Sequence, residues 1–513
     1  MKCSLVSVIG NRFVPSALHE TLPEEAGCMP GTRLGVLSMF MEWAQNDPKR
    51  IFWLAGLAGT GKTSIAVTLC NMLRDEPNIL LGGTFFCSRT ANIDELTDAR
   101  YIFPTLAISL AEQSPVFAAA LACELTADSR AALKPITNQI ASLLQRPLAS
   151  LALWPVPIVF LIDALDECSD ENEVKKLLQA ISTLVCDAKI KFIVTSRPET
   201  HISTSPISIT QHNIILRLHT IDKSEVTVDI RLCIEDAFSK HLLDETWYTE
   251  QDVGLLASRA DGLFIFASTV ISYVLDTESV EERTDRLRTA LTAMKDSEVA
   301  TAPLDAIYES VLTRASNRTK VEPKELEVTQ KVLACILTAR MPLSITALAE
   351  LVGLKPDRVR GSLRRLRAVI HVPEETNQAG LRTLHASFAD YLFERAVPSS
   401  RIARSLGDGA LAHGCQRVMA EQLHFNFWRI RSSYEPTPPV RSRVLALSLE
   451  YACMHWTYHV PGLADPSMLD DVIYKDFRPR MLFWLEVMSV LNQVWRAARM
   501  LLFAAATVCL RSW

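Results

Sequence analysis

The sequence predicts an α/β P-loop NTPase core with a five-stranded parallel sheet, followed by an all-α helical domain, a winged helix and a C-terminal helical domain. Three observations indicate this fold class. A glycine-rich loop, "GLAGTGKT", stands between an apolar run and a helical pattern, and a second apolar run about a hundred residues later ends in carboxylates. Beyond residue 224 the apolar residues recur at helical spacing.

The composition describes a globular chain of several domains. With 513 residues, of which 49% are hydrophobic, the chain can build a core for each domain. The net charge of -5 excludes both the basic excess of a nucleic-acid coat protein and the acidic bias of a disordered chain. The twelve cysteines are scattered without a CxxC pair, which argues against a zinc site and a disulfide framework and favours a reducing, cytoplasmic location.

Neither end of the sequence predicts a membrane segment. The first residues contain a short apolar run, but it is broken by "GNR" and lacks a clear cleavage region, so we expect no signal peptide. The apolar run at 500–510 has about half the length that a bilayer span needs, and we interpret it as part of a packed terminal helix.

The glycine loop has the strand–loop–helix context of a phosphate site. Residues 51–54 form the preceding apolar run, and glycines let the backbone curl so that its N–H groups point inward at a helix start. Lys62 is predicted to reach the β- and γ-phosphates and Thr63 to bind Mg²⁺. The alternative is a glycine-rich turn without a ligand. The predicted nucleotide contacts here are Gly56, Gly59, Thr60, Gly61, Lys62, Thr63 and Ser64.

The second apolar run, "PIVFLIDALDEC", is typical of a strand buried on both faces. Asp163 ends this strand, at the edge where ligands of open parallel sheets gather, and is predicted to hold Mg²⁺ through water. Many P-loop proteins that hydrolyse nucleotides carry Glu directly after this metal-binding Asp. In this chain that position is Ala164, and the next carboxylates are Asp166 and Glu167. Because a displaced base is a poor one, we expect slow hydrolysis or hydrolysis completed only on assembly. The alternative is a solvated turn.

A third buried strand, "KFIVTSRPE", leads into Arg197. A guanidinium at the end of a strand beside the glycine loop matches phosphate geometry, so Arg197 is predicted to sense the γ-phosphate. The alternative is a surface arginine in a loop. The runs "GGTFFCSR" (82–89) and "NIILRL" (213–218) complete the five predicted strands. The candidate catalytic residues are therefore Asp163, Asp166, Glu167 and Arg197.

The motifs "GLAGTGKT", "LIDALDEC" and "VTSRPE", in this order and with "CMPGTR" upstream, resemble those of the NACHT family of signal-transducing P-loop NTPases (STAND class), in the form abundant in fungi. The resemblance covers roughly residues 28–395. It implies an ATP/ADP-operated switch whose ADP-bound closed state opens on nucleotide exchange and self-assembles, in signalling similar to fungal innate immunity. ATP is favoured over GTP because the sequence has no clear Asn-Lys-x-Asp guanine motif, but the choice stays open.

The resemblance also implies roles for residues outside the three motifs. Gly31, Thr32 and Arg33 are candidate contacts to the adenine base. Residues 262–265 occupy the place of a glycine-x-proline contact to adenine, although Pro is absent here. His385, in "LHASF", corresponds to the histidine that ties the winged helix to the β-phosphate of ADP, whereas a lone His is otherwise a satisfied core residue.

The predicted domains follow from these assignments. They are a short N-terminal segment at 1–27, the NTPase core at 28–220, a helical domain at 221–325, a winged-helix domain at 326–397 and a C-terminal helical domain at 398–513. We find no internal repeat with a period of 20 to 50 residues. Proteins that resemble this one often carry repeat arrays and effector domains, so we expect either that a partner protein supplies the sensing or effector role or that the chain is a shortened form of a longer architecture.

Two other functions stay open at this point. A DNA-binding regulator would use the basic second helix of the winged helix as a recognition helix, with the chain's acidic charge arguing against it. A steadily turning-over ATPase would need a better-placed base than Ala164 allows. The arginines of that basic helix and its continuation are Arg358, Arg360, Arg364, Arg365 and Arg367.

Overall fold

The structure is a computed structural model. It describes residues 5, 9–23, 26–89, 91, 93–149, 156–184, 190–205, 213–241, 247–277, 279–292, 302–315, 323–373, 380–427, 445–463, 477–491 and 493–511. The chain forms two compact units, one made of Met1–Ile271 and Ser279–Met294 and the other of Ser272–Glu278 and Lys295–Trp513. The five predicted domain boundaries are not tested by this division and stay predictions.

The first unit is built on a five-stranded parallel sheet, as the sequence predicts. Its strands lie in the order β2-β3-β4-β1-β5, and every neighbouring pair is parallel. The strands end level with one another, because Ala55 pairs with Ser196 and Phe86 with Asp163. The strands are β1 (Ile51–Ala55), β2 (Leu80–Phe86), β3 (Ile158–Asp163), β4 (Ile190–Ser196) and β5 (Asn213–Arg217).

Both faces of the sheet are buried, which explains why its central strands lack polar alternation. Successive side chains of a strand point to opposite faces. On β1, Trp53 therefore belongs to one hydrophobic core, whereas Phe52 and Leu54 belong to the other. The first unit also contains the helices Leu34–Asn46, Lys62–Asp75, Ile102–Gln113, Pro115–Ala127, Ile136–Ile140, Arg146–Ala149, Glu171–Leu184, Thr200–Ser203, Lys223–Ser239, Glu250–Arg259 and Val280–Thr292, and most of Phe264–Leu275.

Part of the predicted N-terminal segment packs on the sheet. The backbone N–H of Val14 donates to Thr105 Oγ1 at 3.2 Å, and that of His19 donates to Thr84 Oγ1 on β2 at 3.0 Å. These bonds tie the segment to β2, an edge strand of the sheet, and to the helix Ile102–Gln113.

The second unit is mainly helical, with one small sheet. Ser344 caps the helix Ile345–Val352 by accepting the backbone N–H of Ala347 at 3.2 Å, and Gly353, with φ of 71°, ends it. The next helix, Pro356–Leu363, starts with proline. A two-stranded antiparallel sheet follows, made of β6 (Ile370–His371) and β7 (Arg382–Thr383). The chain here thus forms two short helices followed by a pair of strands, while the winged-helix assignment itself stays a prediction.

Glycines let the remaining helices of the second unit approach closely. A Cβ on Gly414, in the helix Arg404–Gln422, would lie 2.0 Å from the Leu351 carbonyl oxygen, and one on Gly407 would lie 2.4 Å from that of Ala334. The other helices of this unit are Ala302–Ala315, Pro323–Thr338, Ala386–Asp390, Leu447–His459, Met481–Val490 and Val494–Arg511. In the part of the chain that the structure describes, we find no helix with the length and apolarity needed to cross a bilayer.

Candidate functional site

The glycine loop connects the end of β1 to the helix Lys62–Asp75. Gly59 and Gly61 have φ of 78° and 86°, a conformation that L side chains rarely adopt. A Cβ on Gly56 would lie 2.7 Å from Thr60 Oγ1, so the loop is also too tight for a side chain there. The following Ser64 accepts a hydrogen bond from Thr68 Oγ1 at its carbonyl oxygen, within the helix. The backbone therefore curls into a helix N-terminus, which is the geometry predicted for a phosphate site.

Lys62 lies along the loop that precedes it. Its Nζ donates to the carbonyl oxygens of Gly56 at 2.9 Å and Leu57 at 3.0 Å. Burial lowers the pKa of Lys62, and the nearby carboxylates of Asp166 and Asp163 oppose that shift. A cation that is held within the loop by two replaceable backbone contacts can turn to an anionic ligand.

Asp163 is the point where three elements of the site meet. Its side chain is 1% exposed. Thr63 Oγ1 donates to its Oδ2 at 2.8 Å, and Thr195 Oγ1, from β4, donates to its Oδ1 at 2.5 Å. Burial raises the pKa of Asp163, while the bonds from Thr195 and Thr63 lower it. A hydroxyl and a carboxylate side by side are oxygen ligands of the kind that Mg²⁺ prefers, so these residues fit the predicted metal.

The other two carboxylates are held by arginines. Both oxygens of Asp166 face Arg197, which donates its backbone N–H at 2.9 Å and its Nε at 3.2 Å. Glu167 accepts the backbone N–H of Arg89 at 2.7 Å, and burial raises the pKa of Glu167. Ala164, which directly follows Asp163, adopts φ of 54°. Asp166 and Glu167 thus orient arginines in this structure, and their predicted part in hydrolysis stays a prediction.

The upstream segment with Thr32 and Arg33 lies beside the loop. Thr32 is buried and donates its hydroxyl to the Met29 carbonyl oxygen at 2.7 Å. Arg33 donates its backbone N–H to Asp229 Oδ2 at 3.1 Å. The segment and the helix Lys223–Ser239 line an open cleft of about 380 Å³. Gly31, Arg33, Val36, Ile221, Val226 and Asp229 are among its lining residues.

Residues 262–265 lie directly against the glycine loop, while their implied contact to adenine stays a prediction. The backbone N–H of Ile265 donates to the carbonyl oxygen of Gly59 at 3.0 Å. A Cβ on Gly59 would lie 2.0 Å from Ile265 Cγ2. The Arg33 guanidinium stacks over the ring of Phe264 at 4.5 Å. This segment therefore touches the loop itself, whether or not it also contacts a base.

His385 lies in the second unit, where it caps the helix Ala386–Asp390. Its Nδ1 accepts the backbone N–H of Ser387 at 3.1 Å and lies 2.7 Å from Ser387 Oγ. Ser387 Oγ is 2.8 Å from the hydroxyl of Tyr308. Because Nδ1 accepts a backbone N–H, the proton of a neutral imidazole belongs on Nε2. The predicted contact between His385 and a diphosphate stays a prediction.

The basic helix of the second unit carries exposed arginines, and Arg358 among them forms an ion pair. Arg358 Nη2 lies 3.1 Å from Glu325 Oε1. Arg364, Arg365 and Arg367 follow the helix Pro356–Leu363 and are exposed. Exposed cations of this kind occur both on solvated helix faces and on surfaces that bind DNA.

Three residues of the site were not singled out as site residues from the sequence. Thr195 lies near the end of β4 and Arg89 follows β2, at the same sheet edge as Asp163, so the strand pattern could have indicated them. Asp229 carries no such signal, because it stands in a helical pattern far along the chain from Arg33, which it contacts.

Comparisons with known proteins found chains that are similar to this one. Residues 34–197 match the family model described as Nephrocystin 3, N-terminal. The vegetative incompatibility protein HET-E-1 of Podospora anserina is 22% identical over an alignment of 512 residues, which covers 91% of this chain and 35% of that protein. The chain therefore spans about a third of the length of this curated relative.

Two solved structures match the chain at low identity. One is the signal transduction ATPase with numerous domains (STAND) and a tetratricopeptide repeat sensor, PH0952, from Pyrococcus horikoshii, with 14% identity, 96% of this chain and 60% of that chain covered, and a TM-score of 0.42. The other is Cdc6p from Pyrobaculum aerophilum, with 14% identity, 79% and 97% covered, and a TM-score of 0.31.

Proposed function

Since the chain carries a NACHT-type, STAND-class signalling NTPase core, we propose that it is a switch operated by ATP and ADP. The observation that carries this proposal is the convergence of Thr63 and Thr195 on the buried carboxylate of Asp163, next to a loop that holds Lys62. A site of this kind binds a nucleotide phosphate chain together with Mg²⁺. Mg²⁺ bound there neutralises charge on the phosphates.

Each residue of the site has a part in binding. Lys62 leaves the carbonyl oxygens of Gly56 and Leu57 and pairs with the phosphates, while the loop N–H groups donate to them. Thr63 and Asp163 hold Mg²⁺ through oxygen atoms. Arg197, fixed at the sheet edge by Asp166, senses whether a γ-phosphate is present. Arg33 and Thr32 belong to the segment that is proposed to contact the base.

The same arrangement favours a switch over a steadily working ATPase. The position after Asp163 is Ala164, and the next carboxylate, Asp166, is engaged by Arg197 at both oxygens. A carboxylate that is held by an arginine is a poor base for an attacking water. We therefore expect slow hydrolysis, with the diphosphate state long-lived.

The output is proposed to be self-assembly. In the ADP state, His385 donates from Nε2 to the β-phosphate and holds the chain closed; exchange for ATP removes that contact and exposes surfaces for association. The tautomer imposed by the Ser387 backbone N–H is compatible with this role, because it puts the proton of a neutral imidazole on Nε2. A protein partner supplies the trigger, and signalling similar to fungal innate immunity is the proposed context, in line with HET-E-1 being a vegetative incompatibility protein.

Light scattering of the chain with ADP and with a non-hydrolysable ATP analogue tests the switch. We expect a monomer with ADP and larger assemblies with the analogue and Mg²⁺. The Lys62→Ala variant is expected to stay monomeric with both nucleotides. Identical mass distributions of the wild-type chain in the two nucleotides would contradict the proposal.

A further inference from the structure

Arg33 makes contacts that a residue reading a base would not need. It is 5% exposed, and its backbone adopts φ of 58°, a strained region for a residue with a side chain. Its Nη2 donates to the carbonyl oxygen of Thr60, inside the glycine loop, at 2.8 Å. Its guanidinium covers the ring of Phe264 at 4.5 Å, and its Nε is buried without a hydrogen-bond partner. The side chain is therefore fixed between the loop and the start of the helix Phe264–Leu275.

The preceding peptide of the loop is held from the same side. The backbone N–H of Ile265 donates to the carbonyl oxygen of Gly59 at 3.0 Å. Two consecutive carbonyl groups, those of Gly59 and Thr60, thus accept hydrogen bonds from groups outside the loop. No peptide bond in the described residues is cis. In a planar trans peptide, the C=O points opposite to the N–H of the next residue.

These two contacts consequently orient the loop's donors. The bond from Ile265 to the Gly59 carbonyl turns the N–H of Thr60 to the opposite side, and the bond from Arg33 to the Thr60 carbonyl does the same for the N–H of Gly61. If either carbonyl rotated into the loop, it would present an oxygen to a phosphate in place of a hydrogen. Anion binding requires the N–H groups to converge.

We propose that Arg33, stacked on Phe264, is a positioning residue that keeps the glycine loop in its anion-binding conformation and couples that conformation to the helix Phe264–Leu275. This inference rests on the proposed nucleotide site and goes beyond it. Because coupling between two sites is reciprocal, a phosphate in the loop strengthens the docking of residues 262–265, and loss of that docking weakens phosphate binding. The helix thereby responds to the occupancy of the loop.

Inorganic pyrophosphate separates this role from contact with a base, because it has phosphates and no base. We expect Arg33→Met to weaken the binding of pyrophosphate and of ADP by the same factor. That factor should be about tenfold, which is the effect of losing one charge-assisted hydrogen bond. Phe264→Leu should weaken both by a smaller factor, and Phe264→Tyr should restore them. Competition against a fluorescent nucleotide measures both affinities in the full-length chain with Mg²⁺.

The matched control is Lys223→Met, which removes an exposed cation of the same region that pairs with Asp261 at 2.6 Å and does not touch the loop. Thermal unfolding without ligand identifies any variant that fails to fold, and Phe264→Leu then carries the test. The double variant Arg33→Met/Phe264→Leu should bind no more weakly than Arg33→Met alone, since the two residues act as a unit.

Three outcomes decide the matter. Equal losses for pyrophosphate and ADP, with a non-additive double variant, support the positioning role. A loss for ADP with unchanged pyrophosphate affinity makes Arg33 a base contact and overturns the inference, as does a double variant whose loss is the product of the single losses. A wild-type chain that binds neither ligand overturns the proposed function itself.

Discussion

At the carboxyl edge of the sheet, side chains from a helix and from two strands meet at Asp163, whereas His385 caps the start of its own helix and Ser387 Oγ lies 2.8 Å from the hydroxyl of Tyr308. The first arrangement buries a carboxylate whose pKa rises, which is a cost that a ligand site can justify. In the second arrangement, the imidazole already has a structural role, because its Nδ1 accepts the backbone N–H of Ser387. The contacts around Asp163 therefore indicate a ligand site by themselves, whereas those around His385 indicate a helix cap.

The largest expected effect sharpens this comparison at the loop. Lys62→Ala should weaken binding of ADP and ATP by at least about a hundredfold, because it removes a charge-assisted contact to two phosphates. Calorimetric titration measures the loss. The control is Lys176→Ala, which removes an exposed lysine that pairs with Glu173 at 2.8 Å. If Lys62→Ala bound ADP and ATP as tightly as the wild type, the glycine loop would not be part of the nucleotide site.

Asp163→Asn should separate function from stability. We expect about a tenfold loss of Mg²⁺-dependent nucleotide affinity, together with a thermal midpoint about 2–4 °C higher without ligand, since the variant removes a buried charge. The folded-state pKa of Asp163 is raised above its unfolded value, so the ionised carboxylate costs stability at neutral pH and not below the unfolded pKa of about 4.

The measurement is a series of thermal melts from acid to neutral pH. The advantage of Asp163→Asn over wild type should grow as the pH rises and disappear in acid. Asp166→Asn is the matched comparison, because that carboxylate is paired with Arg197 and its loss should destabilise the chain. Equal changes in the two variants would contradict the account of Asp163 as a site residue.

The strands, the loop and its neighbours at the sheet edge could be predicted from the sequence, because a parallel sheet brings the ends of its strands together whatever the intervening lengths. Lys62, Thr63, Asp163 and Arg197 were found in this way. Contacts that depend on how helices pack follow no such rule. The hydrogen bond from Arg33 to Asp229 and the contact of Arg33 with the Phe264 ring therefore could not be predicted. The orientation of Arg197 toward Asp166 depends on local geometry that spacing does not give.

Thr195→Val tests the support of Asp163 from β4. The hydroxyl of Thr195 donates to Asp163 Oδ1 and accepts the backbone N–H of Ala164 at 2.9 Å, so valine leaves two buried groups without this partner. We expect a loss of about 1–3 kcal/mol in the free energy of unfolding, with weaker Mg²⁺-dependent binding. Chemical denaturation measures the first quantity. Thr195→Ser keeps the hydroxyl and should recover both the stability and the Mg²⁺-dependent binding. If the serine variant were as unstable and bound as weakly as the valine variant, the Thr195 hydroxyl would not be what supports Asp163.

The smaller effect is at His385 and decides between its two roles. His385→Ala removes the helix cap and should cost about 1 kcal/mol of stability, whereas His385→Asn keeps a capping side chain and removes the imidazole. If the imidazole binds the β-phosphate, both variants lose ADP affinity and assemble spontaneously. If His385→Ala loses stability while His385→Asn keeps wild-type ADP affinity and does not assemble spontaneously, the histidine is only a helix cap and the proposed ADP contact is wrong.

The smallest effect is expected at the basic helix. Arg364→Glu combined with Arg365→Glu should leave nucleotide binding and assembly unchanged, because these exposed residues lie outside the nucleotide site. Fluorescence anisotropy with duplex DNA at several salt concentrations provides the check. A salt-dependent affinity in the wild type that the double variant loses, with Arg358→Glu as a comparison, would favour the DNA-binding alternative.

The central claim is that the chain holds a nucleotide as a switch. The most direct measurement is to purify the chain without added nucleotide, unfold it by heat, and identify the released compounds by chromatography. The account predicts ADP in nearly one equivalent per chain. An empty site together with rapid turnover of added ATP would contradict it and would make the protein a working ATPase.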